Sequence, residues 1–195
     1  MRNEKLSTLL RELEQFGLEN DAKAQNHSQK MLNITPDTGE FLLLLIRALK
    51  AKRVLEIGTS NGYSTLWLAK AVQPLGGQVT TLELVPQKAD MARGNFQRAE
   101  LLAVIDLREV DARGFIQQQP PASFEFIFLD ANRGQYVAWW PDLRRILSPG
   151  GLVVVDNAVS HAKEVESFTQ LVQQTDGYIT SMVPVGNGEL LILKG

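Results

Sequence analysis

The stretch Val54-Leu55-Glu56-Ile57-Gly58-Thr59-Ser60-Asn61-Gly62-Tyr63-Ser64 decides the fold. A short apolar run, Val54–Ile57, passes directly into a turn holding two glycines, and Ser64 opens a helical segment that reaches Val72. Strand, tight turn and helix in immediate succession make the first unit of a parallel α/β sheet. Gly58 and Gly62 let the backbone turn sharply and approach a ligand with no side chain in the way. At Ser64, the first free amides of the helix and its dipole favour a carboxylate or a phosphate.

The same alternation continues downstream. Val79–Leu82, Val104–Leu107, Phe126–Leu129 and Leu152–Val155 read as buried parallel strands. Between them, Ser64–Val72, Gln87–Leu101 and Tyr136–Leu147 read as amphipathic helices. Ile179–Val185 and Leu190–Leu193 flank Gly186-Asn187-Gly188, a hairpin signal, so the sheet is predicted to finish in an antiparallel pair. Upstream, Leu6, Leu9, Leu10, Leu13 and Phe16 recur at helical spacing with Gly17 as the stop. Thr35 caps a second helix, with Pro36 at its first position and the run Phe41–Ile46 inside it. The prediction is one α/β domain over residues 1–195. Its sheet is doubly wound and mostly parallel with helices on both faces; residues 1–50 form N-terminal helices covering the site and 51–195 the core.

Composition sets limits on function. The 195 residues suffice for one substantial core and are few for two. At 44% hydrophobic and 22% charged, the chain is of the globular class, and its net charge of −2 gives no general pull toward nucleic acid or anionic membrane. The absence of cysteine rules out disulfides, thiolate metal sites and cysteine nucleophiles. The charged N-terminus, MRNEKLSTLLRELEQFG, has no apolar signal core, and nothing approaches the roughly 20 apolar residues of a membrane span. A cytoplasmic location is the expectation.

Glycine spacing discriminates among ligands. A dinucleotide fingerprint needs G-x-G-x-x-G, but Ser60 and Tyr63 occupy the second and third glycine positions; a Gly-Lys-Ser/Thr phosphate loop is absent. An acid, a glycine, three residues and a second glycine suit the amino-acid part of a ligand, or simply a turn that needs two glycines. Glu83 closes the second strand about 20 residues further on, where an acid accepts hydrogen bonds from both hydroxyls of a ribose. Alone it would read equally as a solvated charge; loop and acid together point to a nucleoside. Asp111-Ala112 follows the third strand, where an adenine edge would be read.

VLEIGTSNGYSTLWLA, the acid at Glu83, VDA at 110–112, FEFIFLDA and LSPGGLVVVDNAV together resemble the class I O-methyltransferases. They are most similar to the cation-dependent group with the catechol and caffeoyl-coenzyme A enzymes and their bacterial relatives. The likeness runs from Leu32 onward, with five motifs in order. It implies a Rossmann-like fold, S-adenosylmethionine as cofactor, and a homodimer to which the leucine-rich first helix could contribute. By this resemblance Glu56, Gly58 and Ser64 border the methionine part of the cofactor and Ile34 lends a backbone contact. Glu83 would then hold the ribose, and Asp111 and Ala112 the adenine.

Methyl transfer from a sulfonium chiefly requires an oxygen nucleophile aligned with the methyl group and relieved of its proton. Asp130, Asp156 and Asn157 stand at strand ends, and two carboxylates with an amide suit a hard cation, Mg²⁺ or Mn²⁺. Without the resemblance, Asp156-Asn157 would read as a helix cap and Asp130 as a turn residue. The resemblance makes all three the metal ligands, with Asp130 bordering cofactor and cation alike.

The sequence departs from the family at Asp130-Ala131-Asn132-Arg133, whose last position is commonly a lysine. Arginine stays protonated in proteins, so Arg133 inherits no base role and instead offers a fixed charge to an oxyanion or an acidic substrate. His161, four residues past Asn157, is either a base or an exposed loop residue. His27 lies in a polar stretch and reads as a surface residue. Trp67, Trp139 and Trp140 read as packing residues, one of the adjacent pair being a possible floor for an acceptor.

The leading expectation is methylation of a hydroxyl on a small phenolic or catechol-like acceptor. Methylation of a modified uridine hydroxyl in tRNA is the alternative within the fold, disfavoured by overall acidity. A cofactor-binding protein that has lost catalysis is a third reading. A nicotinamide oxidoreductase is disfavoured by the glycine spacing.

Overall fold

A computed structural model describes the chain from Arg2 to Gly195, with side chains from Glu4 onward other than that of His27. Seven strands form one sheet: β1 (Arg53–Ile57), β2 (Gln78–Glu83), β3 (Ile105–Glu109), β4 (Phe124–Leu129), β5 (Leu147–Val155), β6 (Tyr178–Val183) and β7 (Glu189–Lys194). Their order is β3-β2-β1-β4-β5-β7-β6. The first five run parallel, while β7 inserts antiparallel between β5 and β6. β1 pairs with β2 on one side and β4 on the other, so the winding direction reverses between β1 and β4. In an open parallel sheet that reversal leaves a crevice at the carboxyl ends of the strands.

Helices cover both faces. On one lie α1 (Arg2–Lys23), α2 (Pro36–Leu49), α3 (Tyr63–Val72) and α4 (Pro86–Arg98), packed on Val54, Val79, Phe126, Phe128 and Val154. On the other, α5 (Ala112–Gln118), α6 (Tyr136–Ile146) and α7 (Ala162–Gln173) pack on Leu55, Ile57, Ile127, Leu129 and Val155. Alternate residues of β1 and β4 serve opposite faces, which is why these strands are apolar nearly throughout. Among the described residues, no helix is long and apolar enough to cross a membrane.

Several sequence expectations change. Helix α1 does not stop at Gly17 but continues to Lys23. Gly17 serves packing instead: a Cβ there would lie 2.5 Å from the Asn33 amide nitrogen, which donates 2.9 Å to the Leu13 carbonyl. Leu6, Leu9, Leu10 and Leu13 are buried in the chain's own core, while Phe16 of the same stripe is exposed. Helix α3 is not amphipathic, since every residue but Lys70 is buried. Helices α5 and α7 were not foreseen, and β5 begins five residues early, at Leu147, with a register irregularity opposite Phe124 and Phe126. The Thr35 cap of α2 is present, accepting from the Thr38 amide at 3.4 Å.

Candidate active site

The glycine turn sits at the crevice. Gly58 has φ +110°, and a Cβ on it would lie 2.0 Å from the Asp130 carbonyl oxygen, so only glycine lets the ends of β1 and β4 come this close. The Gly58 and Thr59 amides donate to the Leu82 carbonyl at 3.1 and 3.2 Å, fastening the turn to the end of β2.

Beneath the turn, Glu56 is fully buried. Ser64 donates to its Oε1 at 2.6 Å, and Thr65 and Thr81 donate to Oε2, both at 2.5 Å. Burial nonetheless pushes its carboxyl up to about 7, against the opposing pull of these three hydroxyls. Glu56 and Ser64 thus bracket β1, β2 and α3 together; with both its oxygens engaged, Glu56 supports the turn from below.

Glu83 is preset for a ligand. Its Oε2 accepts from the Ser60 amide at 2.8 Å, and its Oε1 from the Leu84 and Val85 amides at 2.9 and 2.8 Å. Three backbone donors fix the carboxylate at the end of β2; they take both lone pairs of Oε1 and one of Oε2, which keeps the other for a further donor. Its carbonyl accepts from the Val110 amide at 3.1 Å, bringing Asp111 alongside. Asp111 caps α5, accepting from the Gly114 amide at 3.0 Å, and Ala112 is the first residue of that helix.

Two hollows meet here. A narrow cavity is lined by Gly58, Ser60, Ser64, Ile34 and Asp130. A wider cleft of about 420 Å³ is lined by Asp130, Arg133, Asn157, His161 and Ile34, with Leu18 of α1 on its outer wall. Asp130 and Ile34 border both. The segment from Met31 to Ile34 forms the partition, strapped by Asp21, whose carboxylate accepts from the Met31 and Leu32 amides at 2.6 and 2.8 Å. Sequence reasoning found Ile34 but missed this strap, because nothing in a polar loop signals what it lies across.

Behind Asp130, which lines the cleft, buried acids are crowded together. Asp130 follows β4 and Asp156 follows β5; burial, then the neighbouring Asp156 and Glu56 charges, hold the Asp130 carboxyl well above the usual range. Burial also raises Asp156, which receives a short hydrogen bond from the Asn157 amide. Asn157 adopts φ +61°, a left-handed turn that asparagine tolerates. A third acid, Glu189, lies against Asp156; burial, then the Asp156 charge, pushes its carboxyl up to about 10. Among the described residues, no three or more His, Cys, Asp or Glu side chains are arranged to enclose a metal ion.

Arg133 reaches toward this cluster from the turn after β4. Its Nη1 lies 3.4 Å from Glu164, while its Nε is buried without a partner. Its charge acts to lower both Asp130 and Asp156. His161 lines the cleft with an exposed side chain, its Nδ1 hydrogen-bonded to Ser160 Oγ at 2.9 Å. The His27 side chain lies outside the described residues. Neither Trp139 nor Trp140 floors the cleft: both are buried in the opposite core, where Trp140 donates to Thr175 at 3.2 Å and meets Phe168 edge to face. Trp67 is buried against Gly39, where a Cβ would lie 2.5 Å from its ring nitrogen.

With this arrangement of turn, preset acid and paired hollows, comparison with known proteins is decisive. A family model described as O-methyltransferase matches residues 4–194. The chain belongs to the O-methyltransferase family. It is 34% identical over 138 residues to a catechol O-methyltransferase of Niastella koreensis, a match covering 69% of this chain and 62% of that protein. With a catechol O-methyltransferase of Mycobacterium tuberculosis it shares 37% identity over 126 residues, covering 65% and 57%. The matched region thus spans about three-fifths of these curated relatives' length. Among solved structures, an O-methyltransferase from Bacillus cereus in complex with SAH superposes with a TM-score of 0.81 at 28% identity, covering 96% of this chain and 91% of that one. The O-methyltransferase assignment therefore rests on nearly the whole chain.

Proposed function

We propose that this chain transfers a methyl group from S-adenosylmethionine to a hydroxyl of a small phenolic or catechol-like acceptor, assisted by a divalent cation. The observation that carries the reading is the meeting of the two hollows at Asp130 and Ile34. Only the methyl-bearing end of the donor would lie at the narrow cavity, about 10 Å³ in this structure. With an acceptor in the cleft, the two would face each other there, as in-line transfer requires. Gly58 and Ser64 would border the methionine end of the cofactor, Glu83 would accept from the ribose, and Asp111 and Ala112 would flank the adenine. The Bacillus cereus relative, solved in complex with SAH, supports a cofactor of this kind.

Asp130, Asp156 and Asn157 would hold the cation. The fit rests on donor chemistry: hard oxygens at adjacent strand ends, with carboxyls so crowded that a positive charge among them relieves their repulsion. Bound there, Mg²⁺ or Mn²⁺ supplies stabilisation of the acceptor oxyanion. Arg133 adds a fixed positive charge beside it, and the walls formed by α1 and the 31–34 segment orient the acceptor and exclude water.

Turnover of S-adenosylmethionine with a panel of catechols and other hydroxylated aromatics tests the reading. Methylated product should form with Mg²⁺ or Mn²⁺, vanish with chelator and return on adding the ion back. Full turnover in metal-free buffer would remove the cation from the proposal. No turnover of any hydroxylated acceptor, with cofactor demonstrably bound, would remove the activity.

A further inference from the structure

The hairpin brings a residue to the site that no motif includes. Antiparallel pairing sets Val155 of β5 opposite Leu190 of β7, so one step further Asp156 stands opposite Glu189. In an antiparallel ladder, opposite residues project to the same face. Glu189 is completely buried at the head of a strand that continues Leu-Leu-Ile-Leu-Lys. Its Oε1 accepts from Thr38 Oγ1 of α2 at 3.1 Å, while its Oε2 meets no donor. Its carboxyl lies within hydrogen-bonding reach of that of Asp156 and feels the charge of Asp130. A wholly buried acid facing another is unfavourable where an apolar residue would fit the strand, so its placement against Asp156 needs a reason.

We propose that Glu189 is a positioning residue of the cation site, holding the Asp156 carboxylate in place from the facing strand. The inference rests on the cation reading above. A residue that orients a metal ligand typically changes metal affinity by about 10–100-fold when replaced. The competing explanation is mechanical: Glu189 tethers the hairpin to α2 through Thr38 and nothing more.

The experiment is a Mn²⁺ titration of the full chain, read by the paramagnetic resonance of free Mn²⁺, together with the Tm of the ion-free protein. Glu189→Gln keeps an oxygen for Thr38 but removes the carboxyl that faces Asp156. It should weaken Mn²⁺ binding by about tenfold or more while leaving the ion-free Tm nearly unchanged. Thr38→Val removes the tether and keeps the carboxyl, and should bind Mn²⁺ within about threefold of wild type. Should Glu189→Gln fail to fold, Glu189→Met, apolar and of similar length, should show the same loss of affinity. Wild-type Mn²⁺ affinity in the folded Glu189 variant, with a lowered Tm, would overturn the inference and leave a tether. Equal losses in Thr38→Val and Glu189→Gln would overturn it too. If the wild-type chain binds no Mn²⁺, the cation reading fails first and takes this inference with it.

Discussion

At the scale of single residues, the site turns on two charges of opposite sign. The Arg133 guanidinium pairs with Glu164 and its charge acts on Asp130 and Asp156. If its role is a fixed charge, Arg133→Lys should retain appreciable activity, whereas Arg133→Ala should lower kcat/KM by about 10–100-fold. His161→Ala should leave the pH–rate profile in place; loss of the acidic limb in that variant alone would make His161 the base. Glu83 works at the other end of the site, its carboxylate fixed by three amides. Glu83→Ala should weaken S-adenosylmethionine binding by roughly 1–3 kcal/mol, since ribose hydroxyls lose a charged acceptor. Unchanged affinity by calorimetry would remove Glu83 from the site.

At the scale of elements, the bracket under the glycine turn makes a pH prediction. Burial raises the Glu56 carboxyl from 4.5 to about 7. The folded chain therefore holds a proton that the unfolded chain releases across this window. The resulting stability is fully present below about pH 4.5 and is lost as pH rises through about 7. Glu56→Gln should flatten the stability–pH curve over that interval by an amount on the order of 3 kcal/mol. Asp130, Asp156 and Glu189 are shifted in the same direction, and the Glu56 charge helps to raise Asp130, so the difference between wild type and variant reports Glu56 together with its coupling to Asp130. Urea unfolding at several pH values, without added cation, makes the measurement. An unchanged slope would mean that Glu56 is already ionised in the fold.

At the scale of the whole molecule, helix α1 is integral to the core. Leu6, Leu9, Leu10 and Leu13 share a cluster with Leu66, Phe96 and Phe126, and α1 also walls the wider cleft. Leu10→Ala should lower stability by about 2–5 kcal/mol through a single transition of the whole chain. A separate, earlier transition by circular dichroism would show that α1 unfolds on its own. Because these leucines face inward, the variant should leave the chain's elution volume unchanged.

The sequence by itself determined what depends on short-range periodicity and backbone freedom. Five apolar runs gave the parallel strands, Gly186-Asn187-Gly188 gave the hairpin, and Gly58 with Gly62 located the crevice. Glu83, Asp130, Asp156 and Asn157 were legible because a strand's end puts its next residue at the crevice. The tertiary structure decided what depends on which surface covers which. Gly17 reads as a helix stop until Asn33 is seen packed against it, and α3 reads as amphipathic until layers close over it on every side. Trp139 and Trp140 could not be assigned to a core or a cleft from helical spacing alone. Glu189 is the clearest case: an acid beginning an apolar strand looks like a solvated end. Only the pairing of β7 beside β5 places it against Asp156, and a register across 33 residues is written in no local pattern.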